Sequence, residues 1–228
     1  MIECLFLDLD DTILDFHKAE RVAVSKTFRE FGIEPTEALL HRYHLINKAC
    51  WEKLERKEWT RDQVLVNRFQ MVFDEVHAEC DPAEFAKSYE NNLCIGHYFL
   101  PGAEEAVMAL SKKYRLFLAS NGTAKVQAGR LTSANLYRFF EKVFVSQELD
   151  ANKPSTEFFE RAFAQIPGLE KEKTMMVGDS LTSDILGGNR AGIRTCWINP
   201  GHMPGNPEII PDYEIESLAQ LESLLEGL

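Results

Sequence analysis

Four short stretches hold the residue types that could do chemistry: DLDDT (8–12), SNGT (120–123), NKPS (152–155) and GDSLTSD (178–184). They supply carboxylates (Asp8, Asp10, Asp179, Asp184), one cation (Lys153) and small hydroxyl or backbone donors (Ser120, Asn121, Gly122). Carboxylates gathered without arginines repel one another. A hard divalent cation is the simplest stabiliser, and Mg2+ fits because it accepts one or two carboxylates and keeps several waters. Such an ion polarises a phosphoryl oxygen, and Lys153 adds a point charge. Ser120 and the backbone N–H groups of Asn121 and Gly122 can hold the remaining phosphoryl oxygens. The set suits phosphoryl transfer, where positioning and electrostatics do most of the catalysis.

The elements that must position these groups are strands. CLFLDL reads as a short buried strand ending at Asp8 and Asp10. After Pro101-Gly102 the chain alternates helix with strand: YRLFLAS, KVFVS, KTMMVG, IRTCWIN and a last short YEI. Such alternation predicts a parallel sheet with helices on both faces. Ligands of these sheets bind outside the carboxyl ends of the strands. Three of the four stretches directly follow a predicted strand, and NKPS follows KVFVS through QELDA. The region between the first two strands is helical in pattern. A Thr-x-x-Gln capping box at 60–63 and Asp-Pro-Ala-Glu at 81–84 start two of its helices. The expected plan is an α/β protein: a Rossmann-like parallel core over 1–15 and 97–228, with a helical bundle inserted over 16–96.

Composition narrows the partners. The 228 residues are 45% apolar and 27% charged, ordinary for a globular chain with a core of useful size. A net charge of -11 repels nucleic acids and anionic membranes, so neither is an expected partner. No segment approaches the ~20 apolar residues that span a bilayer. The five cysteines are odd in number, widely spaced and without C-x-x-C, which fits a reducing compartment. With no basic region leading into an apolar stretch at the N-terminus, a cytoplasmic protein is expected, as monomer or homodimer.

In these four stretches the sequence resembles the haloacid dehalogenase-like hydrolase superfamily. DLDDT fits its first motif, D-x-D-x-[TV]; SNG fits the second, KP the third and GDSLTSD the fourth. Each alone is weak, but the four occur in order and in their strand context. The resemblance implies that Asp8 is the nucleophile, forming an aspartyl-phosphate. It implies that Asp10 is the general acid and base, with its backbone carbonyl ligating Mg2+. Asp179 is similar to a metal ligand, Asp184 to its outer support, Ser120 to the phosphoryl binder, and Lys153 to the group orienting Asp8. Having Asp10 favours a phosphate ester, since a departing halide needs no proton. The helical insert resembles the type 1 cap, which excludes water and reads the leaving group. The likeness extends to the pyrimidine 5′-nucleotidase branch, which implies a small phosphorylated metabolite, a pyrimidine nucleoside 5′-monophosphate. The alternatives are a sugar-phosphate phosphatase similar to N-acylneuraminate 9-phosphatase, an inorganic pyrophosphatase, a phosphomutase, or a phospho-accepting signalling module.

Other residues have plainer expectations. Asp11 and Thr12 are expected to bond backbone as Asx-type residues do, and Asp15 to be solvated. Asp184 could N-cap a helix instead of supporting a metal. Phe16 and His17 are candidate substrate contacts, because they follow the first motif. Trp51, Trp59 and Phe69 are expected in the core of the insert, and Arg61 and Arg68 on its surface. His41 and His44 lie three apart on a helix without a third metal ligand in view.

Overall fold

The structure is a computed structural model and describes residues 1–228. Strand β1 (Cys4–Leu7) is followed by helices α1 (Phe16–Glu30), α2 (Glu37–Glu55), α3 (Arg61–Val76) and α4 (Pro82–Leu93). Next come α5 (Ala103–Leu110), β2 (Arg115–Ser120), α6 (Ala124–Ser133), β3 (Lys142–Val145), α7 (Ser146–Leu149) and α8 (Thr156–Phe163). The chain closes with β4 (Thr174–Gly178), α9 (Leu186–Ala191), β5 (Arg194–Ile198), β6 (Tyr213–Ile215) and α10 (Leu221–Glu226). The backbone forms two compact units, Met1–Phe16 with His97–Leu228, and His17–Gly96.

The first unit is a six-stranded, wholly parallel sheet in the order β3-β2-β1-β4-β5-β6. Side chains alternate across it, as the strand period requires. Leu5, Leu7, Leu116, Leu118, Met175 and Val177 face a core closed by α5 and α10. Cys4, Phe6, Phe117, Ala119 and Met176 face a second core, filled by Phe158, Phe159 and Ala162 of α8. With both faces covered, the strands read as continuous apolar runs. Strand order reverses at β1, so the crevice for a ligand opens at its carboxyl end, between β2 and β4.

The second unit is four helices. At α3 both bonds of the capping box form: Gln63 N–H donates to Thr60 Oγ1 at 3.3 Å, and Thr60 N–H to Gln63 Oε1 at 2.9 Å. Asp81 caps α4, accepting from the N–H groups of Ala83 and Glu84. The core is aromatic, built on Phe28, Tyr43, Phe69, Phe73, Phe85 and Tyr89. Trp51 and Trp59 are only half-buried. Arg68 is not the surface charge its type suggests, being 3% exposed. Its guanidinium lies 4.7 Å from the Phe69 ring and 4.9 Å from that of Tyr89. It donates to Asn47 Oδ1 at 2.8 Å, and Asn47 Nδ2 donates to Glu20 Oε1 at 2.6 Å. A buried cation persists only with such partners. No helix in either unit is long and apolar enough to cross a membrane.

Candidate active site

Asp8, Ser120 and Asp179 stand at the carboxyl ends of β1, β2 and β4, three neighbouring strands. Lys153 reaches the same place from the loop before α8. It is 1% exposed, and each of its three ammonium hydrogens has an acceptor. These are Asp8 Oδ1 at 2.7 Å, Asp184 Oδ1 at 2.6 Å and the Ala119 carbonyl at 2.5 Å. Burial alone pulls the lysine's pKa down; Asp184 and Asp8 more than reverse this, leaving it raised and the ammonium charged.

Asp184 is buried and does not cap a helix. Ser180 caps the turn, accepting from Ser183 N–H at 3.2 Å. Asp184 Oδ2 accepts from Ser180 N–H at 3.1 Å while Oδ1 holds Lys153. The turn carrying it, Leu181–Ile185, is a π-type turn, a form often found at functional sites. Gly178 is required here, because a Cβ would lie 2.2 Å from Asp184 Oδ2. Gly178→Ala is therefore expected to cost about 1–3 kcal/mol of stability by overpacking. Urea denaturation checks this; an unchanged midpoint would show that the turn yields freely.

Asp8, Asp179 and Asp184 each present a carboxylate oxygen within 4.8 Å of the others. Thr12 Oγ1 points at Asp179 Oδ1 at 3.5 Å, and the Trp197 indole N–H holds the Asp179 carbonyl at 2.7 Å. Burial, then the charges of Asp184 and Asp8, raises the Asp179 pKa well above the carboxylate range. Burial also pushes Asp8 up to about 8 against the pull of Lys153, with Asp184 and Asp10 adding to the rise. Three carboxylates against one lysine form a donor set with excess negative charge, which suits a hard divalent cation.

The folded protein thus holds protons on Asp8 that the unfolded chain releases between about pH 4 and pH 8. Without a cation, the contribution of this group to stability falls as pH rises through that window. A bound cation competes with those protons. Added Mg2+ is therefore expected to raise Tm more at pH 8 than at pH 6, and equal gains at the two pH values would contradict this.

Asp10 is half-buried and faces α6. Its Oδ1 accepts from the Arg130 guanidinium and its Oδ2 from Gln127 Nε2 at 2.7 Å. Asn121 spends its side chain on the Lys153 loop: Oδ1 accepts Lys153 N–H at 2.9 Å and Nδ2 donates to the Lys153 carbonyl at 2.9 Å. Nδ2 also donates to Ser183 Oγ at 3.2 Å, so the side chain is held by protein groups. Gly122 N–H lies 3.2 Å from Ser120 Oγ. Asp11 takes a positive φ of 56° and accepts Phe16 N–H at 2.9 Å, the local backbone bond expected of it. Asp15 is half-buried. The Phe16 ring lies 5.6 Å from the Arg130 guanidinium.

His17 falls in the helical unit. Its ring meets His44 edge-on at 4.9 Å, and His44 Nδ1 lies 2.8 Å from Glu20 Oε2. The sequence pairs His44 with His41 by spacing, whereas the fold pairs it with α1. Sequence reasoning missed Gln127 and Arg130. Their only signal is an i, i+3 pair of polar side chains in the helix that follows SNGT.

Comparison with known proteins decides the family. A family profile described as haloacid dehalogenase-like hydrolase matches residues 5–198. The chain belongs to the haloacid dehalogenase-like hydrolases. It is an enzyme of that class, on the six-stranded parallel sheet seen here. It is 39% identical over 223 residues to the pyrimidine 5′-nucleotidase PynA of Streptococcus pneumoniae, covering 97% of this chain and 94% of PynA. To the pyrimidine 5′-nucleotidase YjjG of Escherichia coli it is 28% identical over 221 residues, 97% of this chain and 96% of YjjG. A crystal structure of the HAD-hydrolase YfnB of Bacillus subtilis, described as bound to magnesium, superposes with a TM-score of 0.94. That likeness covers 98% of both chains at 38% identity.

Proposed function

We propose that this hydrolase removes the phosphoryl group from small phosphomonoesters through an aspartyl-phosphate on Asp8, with pyrimidine nucleoside 5′-monophosphates as its substrates. The observation that carries this is the Asp8 carboxylate at the strand end. One of its oxygens is tied to a buried lysine, and a second aspartate, Asp10, follows two residues later. The pyrimidine substrate class rests on the likeness to PynA and YjjG.

Lys153 holds Asp8 with one oxygen engaged, so the other can attack phosphorus. As the new O–P bond forms, the ester P–O bond breaks, and Asp10 gives a proton to the departing oxygen. The Ser120 hydroxyl and the backbone N–H of Asn121 hold the non-bridging oxygens, whereas Gly122 N–H, expected to join them, donates to Ser120 Oγ. Water then attacks phosphorus, Asp10 takes a proton from it, and the Asp8 carboxylate is released. Asp8, Asp179 and the Asp10 carbonyl would hold Mg2+, with Asp184 in support; the ion would keep Asp8 ionised and offset phosphoryl charge. The helical unit, His17–Gly96, is the cap domain in this reading, one residue shorter than the 16–96 expected; Phe16, which falls in the sheet unit, and His17 remain the candidate substrate contacts.

Phosphate release from a panel of nucleotides and sugar phosphates, with Mg2+ and with EDTA, tests the reading. Preferred turnover of deoxyuridine, thymidine or uridine monophosphate, lost in EDTA, is expected. Preference for a sugar phosphate or pyrophosphate would overturn the substrate class, and undiminished activity in EDTA would overturn the metal.

A further inference from the structure

Gln127 and Arg130 of α6 belong to none of the four sequence motifs, yet they contact two of them. Arg130 is 0% exposed and Gln127 1%. A guanidinium removed from water needs a charged partner, and here the partner is Asp10 Oδ1. Arg130 also donates to Gln127 Oε1 at 3.2 Å. The Gln127 amide nitrogen has two hydrogens and two acceptors, Asp10 Oδ2 at 2.7 Å and Ser120 Oγ at 2.8 Å. Both oxygens of Asp10 are therefore held by one turn of one helix.

The same amide acts on Ser120. A hydroxyl oxygen has two lone pairs. At Ser120 one accepts from Gln127 and the other from Gly122 N–H. The hydroxyl hydrogen is left to point elsewhere, toward an incoming phosphoryl oxygen. Gly122 makes room for this, since a Cβ there would lie 2.4 Å from Gln127 Nε2.

We propose that Gln127 and Arg130 are positioning residues for the proton transfer, fixing the Asp10 carboxyl and the Ser120 hydroxyl as one unit. The proposal rests on the phosphatase reading above. In the first step the Asp8–phosphorus bond forms, the ester oxygen leaves with the bonding pair, and Asp10 supplies its proton. In the second, a water oxygen bonds phosphorus, the Asp8–phosphorus pair returns to the carboxylate, and the water proton goes to Asp10. A carboxyl free to rotate would meet the leaving oxygen in only a fraction of its orientations.

The test compares kcat/KM for two substrates. A nucleoside 5′-monophosphate expels an alkoxide, which needs a proton as it leaves. 4-Nitrophenyl phosphate expels a phenolate that leaves without one. In Gln127→Leu and in Arg130→Met, the ratio of kcat/KM values, nucleotide over nitrophenyl ester, is expected to fall by about 10- to 100-fold, part or most of what general acid catalysis supplies. Arg130→Lys, which keeps the charge, is expected to restore part of the ratio. If Arg130→Met does not fold, Gln127→Leu decides. Equal losses on both esters would show a merely structural role, and no loss would show none; either overturns the proposal. A wild-type chain that hydrolyses neither ester overturns the phosphatase reading itself.

Discussion

Asp8→Asn is expected to lower turnover of every phosphomonoester by roughly 10⁴-fold or more, the scale on which removing a covalent nucleophile acts. The fold should persist. Asparagine has the same shape, and its side-chain oxygen can still accept from Lys153, which now donates to Asp8 Oδ1 at 2.7 Å. The substitution also removes a buried carboxylate whose pKa burial lifts to about 8. Without Mg2+ at pH 8, Tm should therefore hold or rise, while the Tm gain from added Mg2+ shrinks. Steady-state kinetics and thermal scans on the same preparation separate the two effects. Substantial activity in a folded Asp8→Asn protein would exclude Asp8 as nucleophile.

The second large effect is on stability. Lys153→Met strips the only side-chain cation bonded to Asp8 and Asp184. Breaking a buried ion pair from one side leaves charge without compensation and costs about 3–5 kcal/mol. The loss should be greatest at pH 8 in EDTA and smaller at pH 6. Asp8 already binds a proton more tightly than usual in the folded state, and removing the lysine's pull strengthens that binding further. At pH 6 a protonated Asp8 no longer needs a cation. Urea denaturation at both pH values measures it. A loss below about 1 kcal/mol, or one equal at the two pH values, would mean that Lys153 does not neutralise this cluster.

How much of this was legible in the sequence follows from which interactions are local. Five of the six strands announce themselves as short, largely apolar runs, because a sheet covered on both faces needs no polar alternation; the edge strand β6, YEI, carries an exposed glutamate. The caps at Thr60 and Asp81 are legible because a cap is decided within three or four residues. Asp8, Ser120, Lys153 and Asp179 could be gathered because each follows a recognisable strand or loop.

What escaped depends on contacts between distant segments. Gln127 and Arg130 look like polar residues of an exposed helix, and only the placement of α6 beside Asp10 buries them. Arg68 is buried for the same reason: its surroundings are Asn47 and Glu20 on two other helices. The π-type turn at Leu181–Ile185 has no sequence signal of its own, since it accompanies the hold that Lys153 and Ser180 take on Asp184. His44 shows the limit of spacing alone: its edge-on ring partner, His17, comes from α1 and not from its own helix.

One experiment addresses the covalent step directly. A single turnover with phosphorus-labelled nucleoside 5′-monophosphate, quenched in acid within milliseconds and mapped by peptide, should place the label on Asp8. Label that goes straight to inorganic phosphate, with none caught on the protein at any quench time, or label on another residue, would contradict nucleophilic attack by the first aspartate.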